Sequence, residues 1–224
     1  MSTILRHLLL HTSVENKLLN IFRETKIFFD IFIPDRPLTN QDLFLPYGVA
    51  AGDTEGARID DTAEGPVRLS NPVPFFDQTY TDVYFSSNGV ISFNAGVSSF
   101  TSQQFPLSDK IMFSPFWADF NTAVGGNWYY RVLTEADIGT TNAIVRYELN
   151  MPDFEGVTGV VVSYSQINFY GSQNSLYGRD RKNSVQAILV HDNNWSVAIF
   201  NYGDIEWTTG TASGGNSCTE SWPY

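Results

Sequence analysis

The feature that most constrains this chain is the stretch from Thr81 to Asn94, in which two alternating apolar runs flank Asn88-Gly89. That dipeptide between alternating runs is the strongest short-range signal for a β-hairpin. A two-residue turn at Asn88-Gly89 would set Val83 and Phe85 opposite Asn94 and Ser92. A three-residue loop, Ser87-Asn88-Gly89 with Gly89 left-handed, pairs Phe85 with Ile91 and Val83 with Phe93 instead. The second register gathers four large apolar side chains on one face and leaves Tyr84, Ser86, Val90 and Ser92 on the other. It is the register expected here.

Further short strands with turn signals follow. Val67–Leu69 is a short strand, and Pro74 confines its neighbours to a sheet edge. Ile111–Asp119, Trp128–Val132, Val157–Phe169, Val185–His191 and Trp195–Tyr202 complete the set. Val157–Phe169 changes phase: Val160, Val162 and Tyr164 occupy even positions, Ile167 and Phe169 odd ones. An uninterrupted strand would turn one set outward, so a bulge is predicted near Ser165-Gln166. Asp192-Asn193-Asn194 closes the last two strands as a tight turn. Both of those strands are apolar on both faces and belong in the middle of a sheet. Residues 134–151 fit either a strand, through Val145, Tyr147 and Leu149, or a weak helix face, through Ile144, Val145, Glu148 and Leu149. The fold class expected is mainly β: an antiparallel two-sheet sandwich-like domain with one or two short helices.

Residues 1–42 read differently. Ile4, Leu5, Leu8 and Leu9, then Leu18, Leu19, Ile21 and Phe22, recur at roughly helical spacing, and an apolar run follows from Ile27 to Ile33. Neither stretch reaches the ~20 apolar residues of a membrane span. Leu8–Leu10 is too short for the apolar region of a secretion signal, and His11 interrupts it. These residues are read as an atypical N-terminal segment and linker. Residues 1–40 hold five basic and four acidic side chains, so the remainder carries −12 of a total formal charge of −11. An acidic body disfavours nucleic acid, whose affinity rests on cationic side chains releasing counterions. It equally disfavours an anionic membrane surface, and no direct membrane insertion is expected.

The residues just placed resemble the NIDO domain, an extracellular module of nidogen, alpha-tectorin, mucin-4-like and related multidomain proteins. The resemblance lies in four segments in order: Leu45-Pro46-Tyr47-Gly48 with Gly52-Asp53 and Asp60-Asp61; Phe75-Phe76 through the hairpin to Phe93; Ser114-Pro115-Phe116-Trp117-Ala118-Asp119 with Trp128-Tyr129-Tyr130-Arg131; and Val197 to Gly203 followed by Trp207 to Gly215. It covers residues 43–215. It implies a helix within 134–151. It also implies secretion or cell-surface display and a role in cell–matrix adhesion or matrix assembly, through extracellular-matrix or cell-surface protein partners. It carries over no catalytic or binding residue. Residues 216–224 do not look like the family's continuation, so the chain is read as a fragment with an atypical truncated tail, leaving an open and aggregation-prone sheet edge.

The chemistry expected is correspondingly sparse: no enzyme, no cofactor and no assigned metal. There is no nucleophile elbow, phosphate loop or dinucleotide fingerprint. His7 and His11 stand at i, i+4 on the helical reading but lack further ligands, and His191 is read as a solvated turn residue. Asp53, Asp60 and Asp61 lie in a glycine-containing loop, and Asp119 follows an aromatic strand; these are the calcium candidates, although the EF-hand spacing is missing. The competing reading is a solvated acidic loop whose Asp side chains cap turns. Trp117, Trp128, Tyr129, Tyr130, Trp195 and Trp207 suit either sheet packing or sugar stacking, so a carbohydrate-binding domain is the alternative function. Asn194-Trp195-Ser196 is the complete N-glycosylation sequon, placed at a hairpin tip. Cys218 sits in the atypical tail.

Overall fold

A computed structural model describes residues 44–76, 78–174, 176 and 178–208, and the backbone of Leu5–Thr12. Its strands are β1 (Leu5–Thr12), β2 (Thr54–Glu55), β3 (Ala63–Phe75), β4 (Gln78–Ser86), β5 (Ile91–Phe93), β6 (Met112–Phe113), β7 (Asn127–Val132), β8 (Thr158–Ile167), β9 (Asn183–His191) and β10 (Trp195–Ile205). Among the described residues, one α-helix, α1 (Glu135–Glu148), and two short 3₁₀ turns accompany them. The strands form a six-stranded sheet in the order β1-β10-β9-β8-β7-β2 and a four-stranded sheet in the order β3-β4-β5-β6, with antiparallel pairing throughout.

The β4–β5 hairpin has the expected register: Val83 faces Phe93, Phe85 faces Ile91, and Gly89 has φ +79°. These four side chains enter the core between the sheets, where they meet Val160, Val162, Tyr164, Leu189 and Phe200 from the larger sheet. The bulge in β8 lies where the phase changes. Tyr164 pairs with Val185 and Ile167 with Asn183, so one extra residue is accommodated; Gln166 takes φ +57° and its N–H donates to Ser184 Oγ. Ile167 and Phe169 thereby join the same core as Tyr164.

The other face of the large sheet is covered by α1, which explains why β9 and β10 are apolar on both sides. Val161, Ile188, Val190, Val197 and Ile199 pack there with Val145, and with Leu133 and Phe154 from the segments flanking α1. The helical reading of 134–151 prevails because it leaves Tyr147 71% exposed while burying Val145 completely. Strand alternation would have buried both. Thr134 caps the helix reciprocally: its Oγ1 accepts the Asp137 N–H, and Asp137 accepts the Thr134 N–H.

Several expectations change. Leu5–Thr12 is a strand, not a helix, and it lies along β10, so the β10 edge is covered. The remaining apolar runs of residues 13–43, the linker, Cys218 and the tail lie outside the described residues. The strand expected over Ile111–Asp119 shrinks to Met112–Phe113. Pro115 has no N–H for a ladder, and the following residues wrap the hairpin loop, with the Ala118 N–H donating to Asn88 O. β3 is longer than Val67–Leu69 and holds Pro66, Pro72 and Pro74, which its edge position and two register shifts accommodate. His191 is not a solvated turn residue. It is 1% exposed at the end of β9, accepts the Asn193 N–H through Nδ1, and burial holds its pKa below the usual imidazole value.

Candidate functional site

The acids singled out in the sequence separate into two centres, one buried and one partly open to solvent. Asp53 belongs to the first, built around Arg131 on β7. The guanidinium is bidentate to Asp137, with Nε to Oδ2 at 3.0 Å and Nη2 to Oδ1 at 2.8 Å, and its Nη1 donates to Asp53 Oδ1. Asp53 also accepts the Gly48 N–H at 2.6 Å. One arginine thus ties the loop before β2 to the first turn of α1. Burial would raise the Asp137 pKa, but the bonds from Arg131 and Thr134 hold it below the ordinary carboxylate value. All three side chains are more than nine-tenths buried and mutually satisfied, so this centre is structural.

The second centre is organised by Asn88 at the tip of the β4–β5 hairpin. Its side chain is fully buried and fully used: Nδ2 donates to Asp61 Oδ1 at 2.8 Å and to Ser98 O at 3.0 Å, while Oδ1 accepts the Phe120 N–H at 3.0 Å. The neighbouring Ser87 exchanges hydrogen bonds with Thr62 through its N–H and Oγ. Arg58 Nε donates to Thr122 O, which anchors the same loop to the segment after Asp119. Trp128 lies flat on Gly56, where an added Cβ would come within 2.0 Å of the indole, and Trp128 Nε1 donates to Ala57 O. Loop 56–62 is therefore held from several sides.

This arrangement brings Asp60, Asp61 and Asp119 together, with one carboxylate oxygen from each lying within 4.8 Å of the others. Asp61 is exposed, Asp60 half-buried, and Asp119 only 4% exposed. Asp60 Oδ1 and Asp119 Oδ1 are buried without a hydrogen-bond partner. Burial, then the charges of Asp61 and Asp60, push the Asp119 pKa up to about 7; burial and Asp61 raise that of Asp60 as well. Of the sequence candidates, the structure joins Asp60 and Asp61 to Asp119 and places Asp53 in the arginine centre. Sequence reasoning missed Asn88 as the organiser, because its turn signal accounts for the backbone and says nothing of where its amide points.

The aromatic candidates do not form one surface. Trp128, Tyr130 and Trp207 are buried between the sheets, and Trp207 Nε1 donates to Ile167 O. Trp117 packs against Val90, Val97 and Met112, with Nε1 donating to Ser99 O. Trp195 packs on the helix-side core. Asn194 is exposed in the turn between β9 and β10, where Asp192 Oδ1 accepts the N–H groups of Asn194 and Trp195.

The family model of the nidogen-like domain matches residues 81–221. Human alpha-tectorin is 39% identical over 178 residues, which is 78% of this chain and 8% of that protein. Mouse nidogen-1 is 32% identical over 174 residues, 75% of this chain and 14% of the relative. Dendrite extension defective protein 1 of Caenorhabditis elegans is 28% identical over 184 residues, 81% and 16% respectively. The chain therefore spans less than one fifth of the length of these relatives. No solved structure matches it.

Proposed function

The chain belongs to the nidogen-like domain family, and we propose that it is a non-catalytic extracellular module that presents a rigid surface to matrix or cell-surface proteins in cell–matrix adhesion or matrix assembly. The observation that carries this reading is the match itself. Most of this chain aligns with a small share of long relatives, 8% of alpha-tectorin and 14% of nidogen-1, as a module would. The frame suits such a role: one core packs between the two sheets and a second packs between the large sheet and α1, so surface loops are held with little freedom to lose on binding. Sugar stacking is the less favoured reading, because Trp128, Tyr130 and Trp207 are committed to the core. The test is solid-phase binding of the purified chain to a panel of purified matrix proteins. Saturable binding that survives removal of their glycans is the expected result. Reproducible glycan-array hits without protein binding would transfer the assignment to carbohydrate recognition.

Extracellular placement makes Asn194 an N-glycosylation site in this proposal. The sequon sits in an exposed turn, accessible to the modifying enzyme. Secreted from a eukaryotic host behind a heterologous leader, the protein is expected to lose mass on peptide-N-glycosidase treatment, and Asn194→Gln to abolish that change. An unchanged mass in the secreted wild type would remove the assignment.

A further inference from the structure

We propose that Asp60, Asp61 and Asp119 form a divalent-cation site, with Ca²⁺ the preferred ion, that pins loop 56–62 against the segment wrapping the hairpin loop. This goes beyond the interaction role and does not depend on it.

The proximity of three carboxylates, all within 4.8 Å, is the first observation. Clusters of that kind are common on acidic surfaces, and this one is distinguished by Asp119. Its side chain is held away from solvent, one of its carboxylate oxygens lies in the cluster, and its buried Oδ1 has no hydrogen-bond partner. A buried anion without a partner is costly, and here the charged groups acting on it are two more anions, Asp61 and Asp60. Asp60 Oδ1 is orphaned in the same place. A bound cation supplies the missing partner to both oxygens at once.

The donor set selects the class of ion. All three ligands are hard carboxylate oxygens, with no His or Cys in the group, which disfavours the softer transition metals and suits Ca²⁺ or Mg²⁺. Ca²⁺ takes six to eight oxygens in flexible geometry, whereas Mg²⁺ demands a near-ideal octahedron. Three carboxylates arriving from two separate loops, one of them exposed, fit the looser requirement, with water filling the open side. Asn88 preorganises the site: its Nδ2 donates to Asp61 Oδ1, and its Oδ1 accepts the Phe120 N–H of the Asp119 segment. A ligand-poor site of this kind belongs in the range of extracellular modules, with dissociation constants of roughly 10⁻⁴–10⁻³ M.

The experiment is thermal unfolding of the purified chain at pH 7.5 with chelator, with about 5 mM Ca²⁺, and with about 5 mM Mg²⁺. At that excess, Ca²⁺ is expected to raise Tm by roughly 3–6 °C, and Mg²⁺ by less. Asp119→Asn should fold, since it removes one of three repelling charges, and should lose the Ca²⁺ response. Asp109→Asn, which alters an exposed acid paired with Lys110, should retain it. A wild-type shift below one degree overturns the proposal. So does a shift of equal size in Asp119→Asn, which would put any bound Ca²⁺ elsewhere.

Discussion

Arg131→Met is expected to cost about 3–5 kcal/mol of folding stability, the penalty typical of breaking a buried ion pair by removing one partner. The substitution keeps much of the side-chain volume but leaves Asp53 and Asp137 buried with no counter-charge. The loss has two structural consequences. The loop around Gly48 and Asp53 loses its tie to β7, and the cap of α1 loses the group that orients Asp137 toward Thr134. In urea, the unfolding midpoint should fall with the slope unchanged if the variant still folds to the same compact state. Arg131→Met combined with Asp53→Asn should recover part of the loss, because one of the stranded charges is gone. A loss no larger than the ±0.5 kcal/mol of an ordinary surface change would overturn the structural role assigned to this centre. The pH dependence has a defined sign. The folded-state pKa of Asp137 lies below its ordinary value of 3.8, so its contribution is present above that value and disappears as pH falls through the folded-state pKa. Arg131→Met should therefore lose less stability than the wild type on acidification through this range.

The sequence was legible where the information is local. The three-residue loop followed from the side-chain alternation on either side of Asn88-Gly89, and the β8 bulge from the switch of phase between Tyr164 and Ile167. In both, only one register keeps the apolar side chains together, so the pattern itself excludes the alternatives. The helix over 135–148 was less legible, since its apolar residues satisfy two periods at once; the exposed Tyr147 shows which one the fold uses. The strand over Ile111–Asp119 failed for a different reason. Its residues are apolar enough for a sheet, but Phe116 and Trp117 pack into different cores, one between the sheets and one beside Met112. The candidate site was half legible. Asp60 and Asp61 are adjacent in sequence, while Asp119 reaches them through the hairpin loop, a long-range closure that no spacing encodes. Asp53 shares their loop in sequence and leaves it in space because Arg131 and the Gly48 N–H hold its carboxylate. His191 shows the same limit: a residue beside a turn can still end a central strand with its ring buried.

A single substitution made at three glycines separates local conformation from packing. Gly139 lies in α1 with open space where a Cβ would go. Gly139→Ala is therefore expected to stabilise by about 0.5–1 kcal/mol, the helix propensity difference. Gly52 has φ +88° and equally open space, so Gly52→Ala is charged only with the left-handed backbone, a cost of roughly 1–2 kcal/mol. Gly89 has φ +79°, and its added Cβ would stand 1.9 Å from the Phe116 carbonyl oxygen. Backbone on the far side cannot rotate away as a side chain can. Gly89→Ala should therefore add about 1–3 kcal/mol of overpacking to the left-handed term and lose about 2–5 kcal/mol in total. The displaced segment is the one that carries Asp119, and the loop residue beside Gly89 is Asn88. The same substitution should thus weaken the Ca²⁺-dependent rise in Tm, whereas Gly52→Ala and Gly139→Ala leave it intact. Urea midpoints for the three variants check the order of stabilities. A Gly89→Ala loss no greater than that of Gly52→Ala would mean that the hairpin loop does not press against the Phe116 backbone, and the architecture of the candidate site would have to be redrawn.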